Sequence, residues 1–404
     1  MIIEKITIQS IYQSDSFKAT VEININNKIE ELWFEAEKKF ADAFCDDRID
    51  GIVAMMLLRC MKQGENIYSK IPISAKLHHQ LITQLIPILS EYSGGQLKII
   101  KIDAPLTTKV YGGKKIAGTG LSCGVDSLYT VMKFSDNTID EQFRIKQLLI
   151  AQTDSVISRH EYSNRYSINC NRAIEFANEY GYSCLCVNTN FRDFYGGNII
   201  GYTGEVTFMM CGIALLFSKS FGVYYFSGAR SIDHLTIEPP KSSEAYNLVI
   251  LPLLSTENLS FYLGGLCDRL QKEKELSHYK PSYKYLNVCW HYTAAEHINC
   301  GCCGKCRKTL LAFDLLGCID KYSKIFNINE YYKQRNKIWA ELIAGDFQSL
   351  SEKEIYEAAV DEKFQFPKES VIIANGIKRK KKAERFRSRI KQLLKKLLIF
   401  KHNK

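Results

Sequence analysis

No apolar run in this chain is long enough to cross a bilayer. Its start, Met1-Ile2-Ile3-Glu4-Lys5, lacks the charged segment and apolar core of a secretory leader. No internal repeat is present, which excludes solenoids and propellers. No Gly-x-x-x-x-Gly-Lys-Ser/Thr loop occurs, so a Walker A phosphate site is excluded too. With 46% apolar and 24% charged residues over 404 positions, the composition is that of a globular protein with room for two domains and an appendage. Fourteen cysteines without a leader imply a reducing, cytoplasmic setting, where clustered thiols serve as metal ligands before they serve as disulfides.

The formal charge of +10 is unevenly held. Residues 378–404 carry 13 lysines and arginines against one acid, Glu384, a net of +12. The rest holds 41 basic and 43 acidic residues, so the body is near neutral and is not a nucleic-acid binder over its whole surface.

Residues 1–108 read as a small α/β domain. Alternation over 19–26 and 29–34 around Asn26-Asn27-Lys28 predicts a hairpin. Ile49, Ile52, Val53, Met56 and Leu57 predict a helix over 47–61. A short strand at Ile67-Tyr68, a helix capped by Ser74 and running to Tyr92, and a strand over 97–102 complete it. From about 109 to 285 strands alternate with helices. Strands are expected at 116–121, 147–153, 183–188, 223–227 and 247–251, and helices at 126–134, 160–181 and 202–220. This pattern implies α/β architecture with a parallel, Rossmann-like sheet. Its ligands would bind at the carboxyl ends of the strands, where Ser122–Ser127, Asp154, Asn188-Thr189-Asn190 and Gly228-Ala229-Arg230 fall. A helical run from 259 to about 276, carrying Arg269, Lys272 and Lys274, is expected next.

The segment Ser122-Cys123-Gly124-Val125-Asp126-Ser127 lies between an apolar run, 116–121, and a helical run, 128–134. A tight loop there presents backbone N–H groups at the positive end of a helix, which suits a phosphate. Asp126 could hold magnesium against it. The loop resembles the Ser-Gly-Gly-x-Asp-Ser signature of the PP-loop ATP pyrophosphatases, with Cys123 in place of the first glycine. That resemblance implies cleavage of ATP between its α and β phosphates and activation of a carboxylate or carbonyl oxygen as an adenylate. It places the phosphates on the backbone amides of 123–127 with Ser122 and Ser127, the reactive step on Asp126, Ser127, Arg230 and Lys272, and the adenine near Asp154 and Asn188-Thr189-Asn190, with Gly228 also on the nucleotide. No glutaminase domain is apparent, so ammonia or an amine would come from solution or a partner.

Cys289, Cys300, Cys303 and Cys306 form Cys-x10-Cys-x2-Cys-x2-Cys. Cys-x2-Cys turns set thiolates about a tetrahedral ion, and four sulfurs suit structural zinc, with an iron–sulfur cluster as the rival. Cys302 is a fifth thiol within the motif; Cys184, Cys186 and Cys211 fall in apolar runs and read as core. A four-cysteine zinc site C-terminal to the loop domain resembles that of the 7-cyano-7-deazaguanine synthases, within the same superfamily, and the run 287–317 resembles uncharacterised bacterial relatives from biosynthetic clusters. Residues 286–366 therefore read as a zinc-binding helical region, largely helical over 313–344.

Residues 364–370, with Pro367, read as a linker, and 367–404 as linker plus tail. After the basic run Lys378–Lys382, the spacing of Phe386, Ile390, Leu393, Leu394, Leu397 and Leu398 predicts a basic amphipathic helix suited to the anionic inner face of a membrane. Nucleic acid is the weaker match, because aromatic residues are few there. The function expected is an AMP- and pyrophosphate-forming ligase acting on a small molecule in a surface-glycan or modified-nucleobase pathway, and a homo-oligomer is compatible with it. The alternatives are a nucleotide-binding component of a defence or membrane assembly without turnover, and a tRNA thiolation enzyme.

Overall fold

The computed structural model describes residues 1–152, 159–196, 202–235, 243–289, 291 and 297–402. The chain divides into two compact units, Met1–Lys272 and Glu273–Lys404.

The first unit is built on a ten-stranded sheet. Strands β1 (Ile2–Ser10), β2 (Ser16–Ile25) and β3 (Lys28–Glu37) form an antiparallel meander. The β2–β3 turn places Asn26 and Asn27 at φ +53° and +64°, the left-handed pair that matches strand twist and that asparagine tolerates. Alternation along β2 buries Phe17, Ala19, Val21, Ile23 and Ile25 on one face. Four short strands follow: β4 (Ile67–Ser69), β5 (Ile73–Ser74), β6 (Ile102–Asp103) and β7 (Leu106–Thr107). β4 and β6 extend the sheet beyond β1, and β5 pairs with β7 apart from it.

The parallel half comprises β8 (Ile116–Gly120), β9 (Ile145–Ala151), β10 (Ser183–Thr189), β11 (Phe221–Ser227) and β12 (Ser260–Gly264). Helices Val125–Phe134, Arg159–Tyr180 and Tyr202–Leu216 lie between the first four of these in the chain. The spatial order is β12-β11-β8-β9-β10, so the winding direction reverses between β8 and β11. The loop after β8 therefore opens at the switch point of a doubly wound sheet, the place where such sheets bind ligands. The helix Tyr202–Leu216 is apolar nearly all round and packs on the helix Asp50–Gln63, itself buried along most of its length. This places the two halves of the sheet over one hydrophobic core.

Several sequence expectations change here. Residues 1–108 do not keep a sheet to themselves: β3 pairs antiparallel with β10 at Phe34↔Thr189 and Glu35↔Asn188, and the compact unit runs on to Lys272. The expected strand 247–251 is a helix, Asn247–Leu253, and the fifth parallel strand is β12. The short apolar run that begins at Leu248 fits a buried helix as well as a buried strand, and periodicity cannot separate them. β12 interrupts the helix expected over 259–276, leaving only Arg269–Leu276. Of the strand expected over 97–102, only Ile102 pairs, in β6.

The second unit is helical: Gly304–Leu315, Ile328–Ile343, Leu350–Asp361 and Lys368–His402. At its centre Asp314 accepts hydrogen bonds from Tyr331 Oη (2.9 Å), Trp339 Nε1 (2.8 Å) and both Arg335 Nε (2.7 Å) and Nη2 (3.0 Å). The expected linker 364–370 is packed structure. Phe364 stacks on Trp339 at 4.8 Å, Phe366 meets its edge, and the helix starts at Lys368, directly after Pro367. Among the described residues no helix is long and apolar enough to cross a membrane.

Candidate functional site

In the first unit, β8 ends at Gly120 and the helix Val125–Phe134 begins five residues later. Leu121 N–H still donates to Leu149 O (3.0 Å), which holds the loop start in line with the sheet. Gly124 is the N-cap and has no side chain with which to cap, so the amides of Val125, Asp126 and Ser127 have no intrahelical acceptor. The two serines close the loop upon itself. Ser122 Oγ lies 3.2 Å from Ser127 Oγ and accepts from Gly124 N–H at 3.3 Å, while Ser127 Oγ donates to Gly124 O at 3.2 Å.

Cys123 sits at φ +58°, the left-handed region that favours glycine. A side chain there costs about 1 kcal/mol. Glycine would adopt this conformation without that cost. The thiol is 2% exposed. Burial pushes it up to about 12, against the opposing pull of Arg172, so it is a neutral thiol at physiological pH and a poor sulfur carrier.

Asp126 is the charged centre of the loop. Lys272 Nζ donates to its Oδ1 at 2.8 Å, and Arg269 Nη1 lies 3.9 Å from its Oδ2. The Lys272 side chain is fully buried, whereas Asp126 keeps 27% of its surface open. The same ammonium donates to Gly228 O at the end of β11. A charge pair is thus fixed between the helix after β8 and the helix after β12, at the switch point.

The other expected residues divide. Gly228 borders the site, but its N–H already donates to Gly264 O at 2.7 Å, and a Cβ on it would stand 3.1 Å from Gly265 O. Its role is to let β11 and β12 end close together. Arg230 is exposed, two residues beyond. Thr189 and its neighbour Asn190 are committed to β3: Thr189 Oγ1 donates to Trp33 O (2.7 Å), Asn190 Nδ2 donates to Glu31 O (2.8 Å), and Asn190 Oδ1 accepts from Trp33 N–H (2.8 Å). Asn188 pairs with Glu35 in the same ladder. These three therefore join the antiparallel half of the sheet to the parallel half. Asp154 lies outside the described residues. Lys274 pairs instead with Glu362 at 3.7 Å, both half exposed. One group escaped sequence reasoning: Ser227 Oγ, at the end of β11, is buried and has no hydrogen-bond partner. Nothing in its sequence context distinguishes it from a serine that pairs within the sheet.

In the second unit the sulfurs of Cys289, Cys300, Cys303 and Cys306 all lie within 4.8 Å of one another. Cys303 caps the helix Gly304–Leu315, and Cys306 lies in its first turn. Amides point at the sulfurs: Cys303 N–H donates to Cys300 Sγ (3.3 Å), and His291 and Cys300 N–H donate to Cys289 Sγ (3.2 and 3.5 Å). Such bonds favour thiolate over thiol. Crowding acts the other way. Cys303 beside it pushes Cys289 up to about 11, and the Cys289 and Cys303 sulfurs push Cys306 upward. A divalent cation resolves that conflict by supplying the missing positive charge.

Two residues build this knuckle without ligating. Gly301 has φ +77°, and a Cβ on it would collide with Asn327 O. Asn299, fully buried, accepts from Val288 and Cys289 N–H (2.9 and 3.1 Å) and donates to Leu286 O and Ile325 O (2.9 and 3.1 Å). It ties the Cys289 segment to the knuckle. The donor set and its closure fit a four-coordinate structural metal such as zinc. Cys302 is exposed and lies outside that set, 3.6 Å from Cys300 Sγ. No known protein family, curated protein or solved structure matches this chain.

Proposed function

We propose that the first unit is a PP-loop-type ATP pyrophosphatase that transfers adenylate to a small carboxylate or carbonyl substrate and releases pyrophosphate. The single observation that carries this reading is the Asp126–Lys272 pair beside uncapped helix amides, at the switch point of a doubly wound sheet. The residues fit a polyphosphate. Amides of 125–127 supply donors, the Ser227 hydroxyl lacks a partner, and Lys272 and Arg269 supply fixed positive charge. Asp126 and the phosphate oxygens would hold magnesium, which would neutralise charge on the departing pyrophosphate when bound.

Lys272 is held by Gly228 O as well as by Asp126, so it would keep one anchor if Asp126 held a metal. An ammonium fixed in this way stabilises developing negative charge without reorganising, which is where most such catalysis comes from. Ser122 and Ser127 keep the loop closed and present its amides. An amine or ammonia would then take the activated acyl group. The four-cysteine centre is assigned zinc and a structural role in the second unit.

A second reading, nucleotide binding without turnover, draws on Cys123, because a bulky residue stands at the left-handed position. Incubation of the full chain with ATP, magnesium, ammonium and a panel of small carboxylic acids, with pyrophosphate and AMP as readouts, separates the two. Stoichiometric AMP and pyrophosphate with one acid establishes turnover. Tight ATP binding with neither product across the panel supports the second reading.

A further inference from the structure

The helix Lys368–His402 is one continuous element of 35 residues, a rod of roughly 52 Å at helical rise. Its first half belongs to the second unit's fold. Ser370 and Ala374 are fully buried, Glu369 accepts from Asn336 Nδ2, Lys381 lies 3.2 Å from Asp346, and the helix packs along Ile328–Ile343. From Lys382 onward the described side chains leave that packing. Lys382, Ala383, Glu384, Phe386, Arg387 and Ile390 are all exposed, Phe386 by 66%. In the sequence, Ile390, Leu393, Leu394, Leu397 and Leu398 follow Phe386 at the spacing of a single helix face. The same stretch, from Lys378 to the end, carries the net charge of +12.

We propose that the two halves of this helix have separate tasks: residues 368–381 clamp the second unit, and residues 383–402 lie along the surface of an anionic phospholipid bilayer. A second copy of the helix is disfavoured, because pairing two apolar faces would bring two such charge densities together. A nucleic acid would use the charge but leave the leucines in water, with only Phe386 and Phe400 to stack on bases. An anionic bilayer takes both, the apolar face in the acyl boundary and the basic residues among the headgroups. The rod has no flexible joint between its halves, so lipid binding would hold the second unit at the surface rather than on a tether.

The test is sedimentation with phosphatidylcholine vesicles, with and without phosphatidylglycerol, using the full chain, a chain ending at Lys382, and the full chain with Leu393→Ser and Leu397→Ser. The full chain is expected to sediment with the anionic vesicles and not with the neutral ones. The double serine variant, which keeps every charge, is expected to bind about tenfold or more weakly. The chain ending at Lys382 is expected to lose binding with its melting temperature unchanged, whereas a chain ending at Phe366 is expected to melt lower. Vesicle binding that ignores the two serines overturns the proposal. So does single-stranded RNA binding that exceeds vesicle binding, or a lowered melting temperature on truncation at Lys382.

Discussion

Three of the four clustered thiols, Cys300, Cys303 and Cys306, come from one seven-residue segment, and Cys289 is brought to them by a single buried asparagine. Asp126 and Lys272 lie 146 residues apart and meet only because β8, β11 and β12 are neighbours in a parallel sheet. The first centre is a product of local turn chemistry, the second of topology. The difference decides what each needs. The four crowded thiols could share one cation, while the loop centre already balances its one carboxylate with a buried ammonium. Lesions in the first should therefore appear as loss of fold, and lesions in the second as loss of function with a smaller stability cost.

The largest effect is expected from the metal. Structural zinc contributes on the order of 10 kcal/mol to small metal-dependent folds. A strong chelator or Cys303→Ser should release one zinc per chain and unfold Glu273–Lys404, leaving the first unit's secondary structure intact by circular dichroism. An unchanged melt after complete removal of metal would reduce the four thiols to core residues. Iron in the metal analysis would assign the site to a cluster.

Gly301→Ala comes next, because it joins a left-handed φ to a clash with Asn327 O. A loss of about 3 kcal/mol is expected, seen as a lower denaturant midpoint together with weaker zinc retention. Intact retention would show that the knuckle relaxes without Gly301.

Lys272→Met removes the ammonium and leaves Asp126 without its closest partner. Asp126 is partly open to solvent, so the cost is expected to be about 2 kcal/mol, less than for a fully buried pair. Adding Asp126→Asn should recover part of it, and both variants should lose ATP affinity. A larger loss than Gly301→Ala would make the pair a structural element and remove the contrast between the two centres. The smallest expected effect is at Cys123. Both Cys123→Ala and Cys123→Gly lose the buried sulfur, but only glycine is at ease at φ +58°, so the glycine variant should be the more stable by about 1 kcal/mol in chemical denaturation. Equal stability would mean that the loop relaxes.

What the chain discloses follows the same division. The thiol motif, the β2–β3 hairpin and the strand–loop–helix at Ser122–Ser127 depend on near neighbours, and each can be read from composition and spacing. Lys272 is legible only as one basic residue among several; its burial and its pairing come from the sheet order. Asn188 and Thr189 read as ligand residues because they end a strand; the structure pairs both with β3, and Thr189 Oγ1 donates to Trp33 O. Only the antiparallel pairing of β3 with β10, a contact more than 150 residues long in sequence, shows this. The run Asn247–Leu253 misleads for a different reason, since an apolar segment this short carries no period. Cys123 shows the reverse case, in which the sequence marks an irregular position and the structure supplies its cause, a left-handed turn.

The proposed activity rests on binding of the ATP phosphates by the loop Ser122–Ser127 with Lys272. Isothermal titration of ATP with magnesium into the full chain and into Lys272→Met tests it most directly. The expected result is one site per chain on the parent protein, weakened by about a hundredfold in the variant, in keeping with the loss of a buried charged hydrogen bond. Absence of any binding to the folded parent chain, or equal affinity in the two proteins, would contradict it.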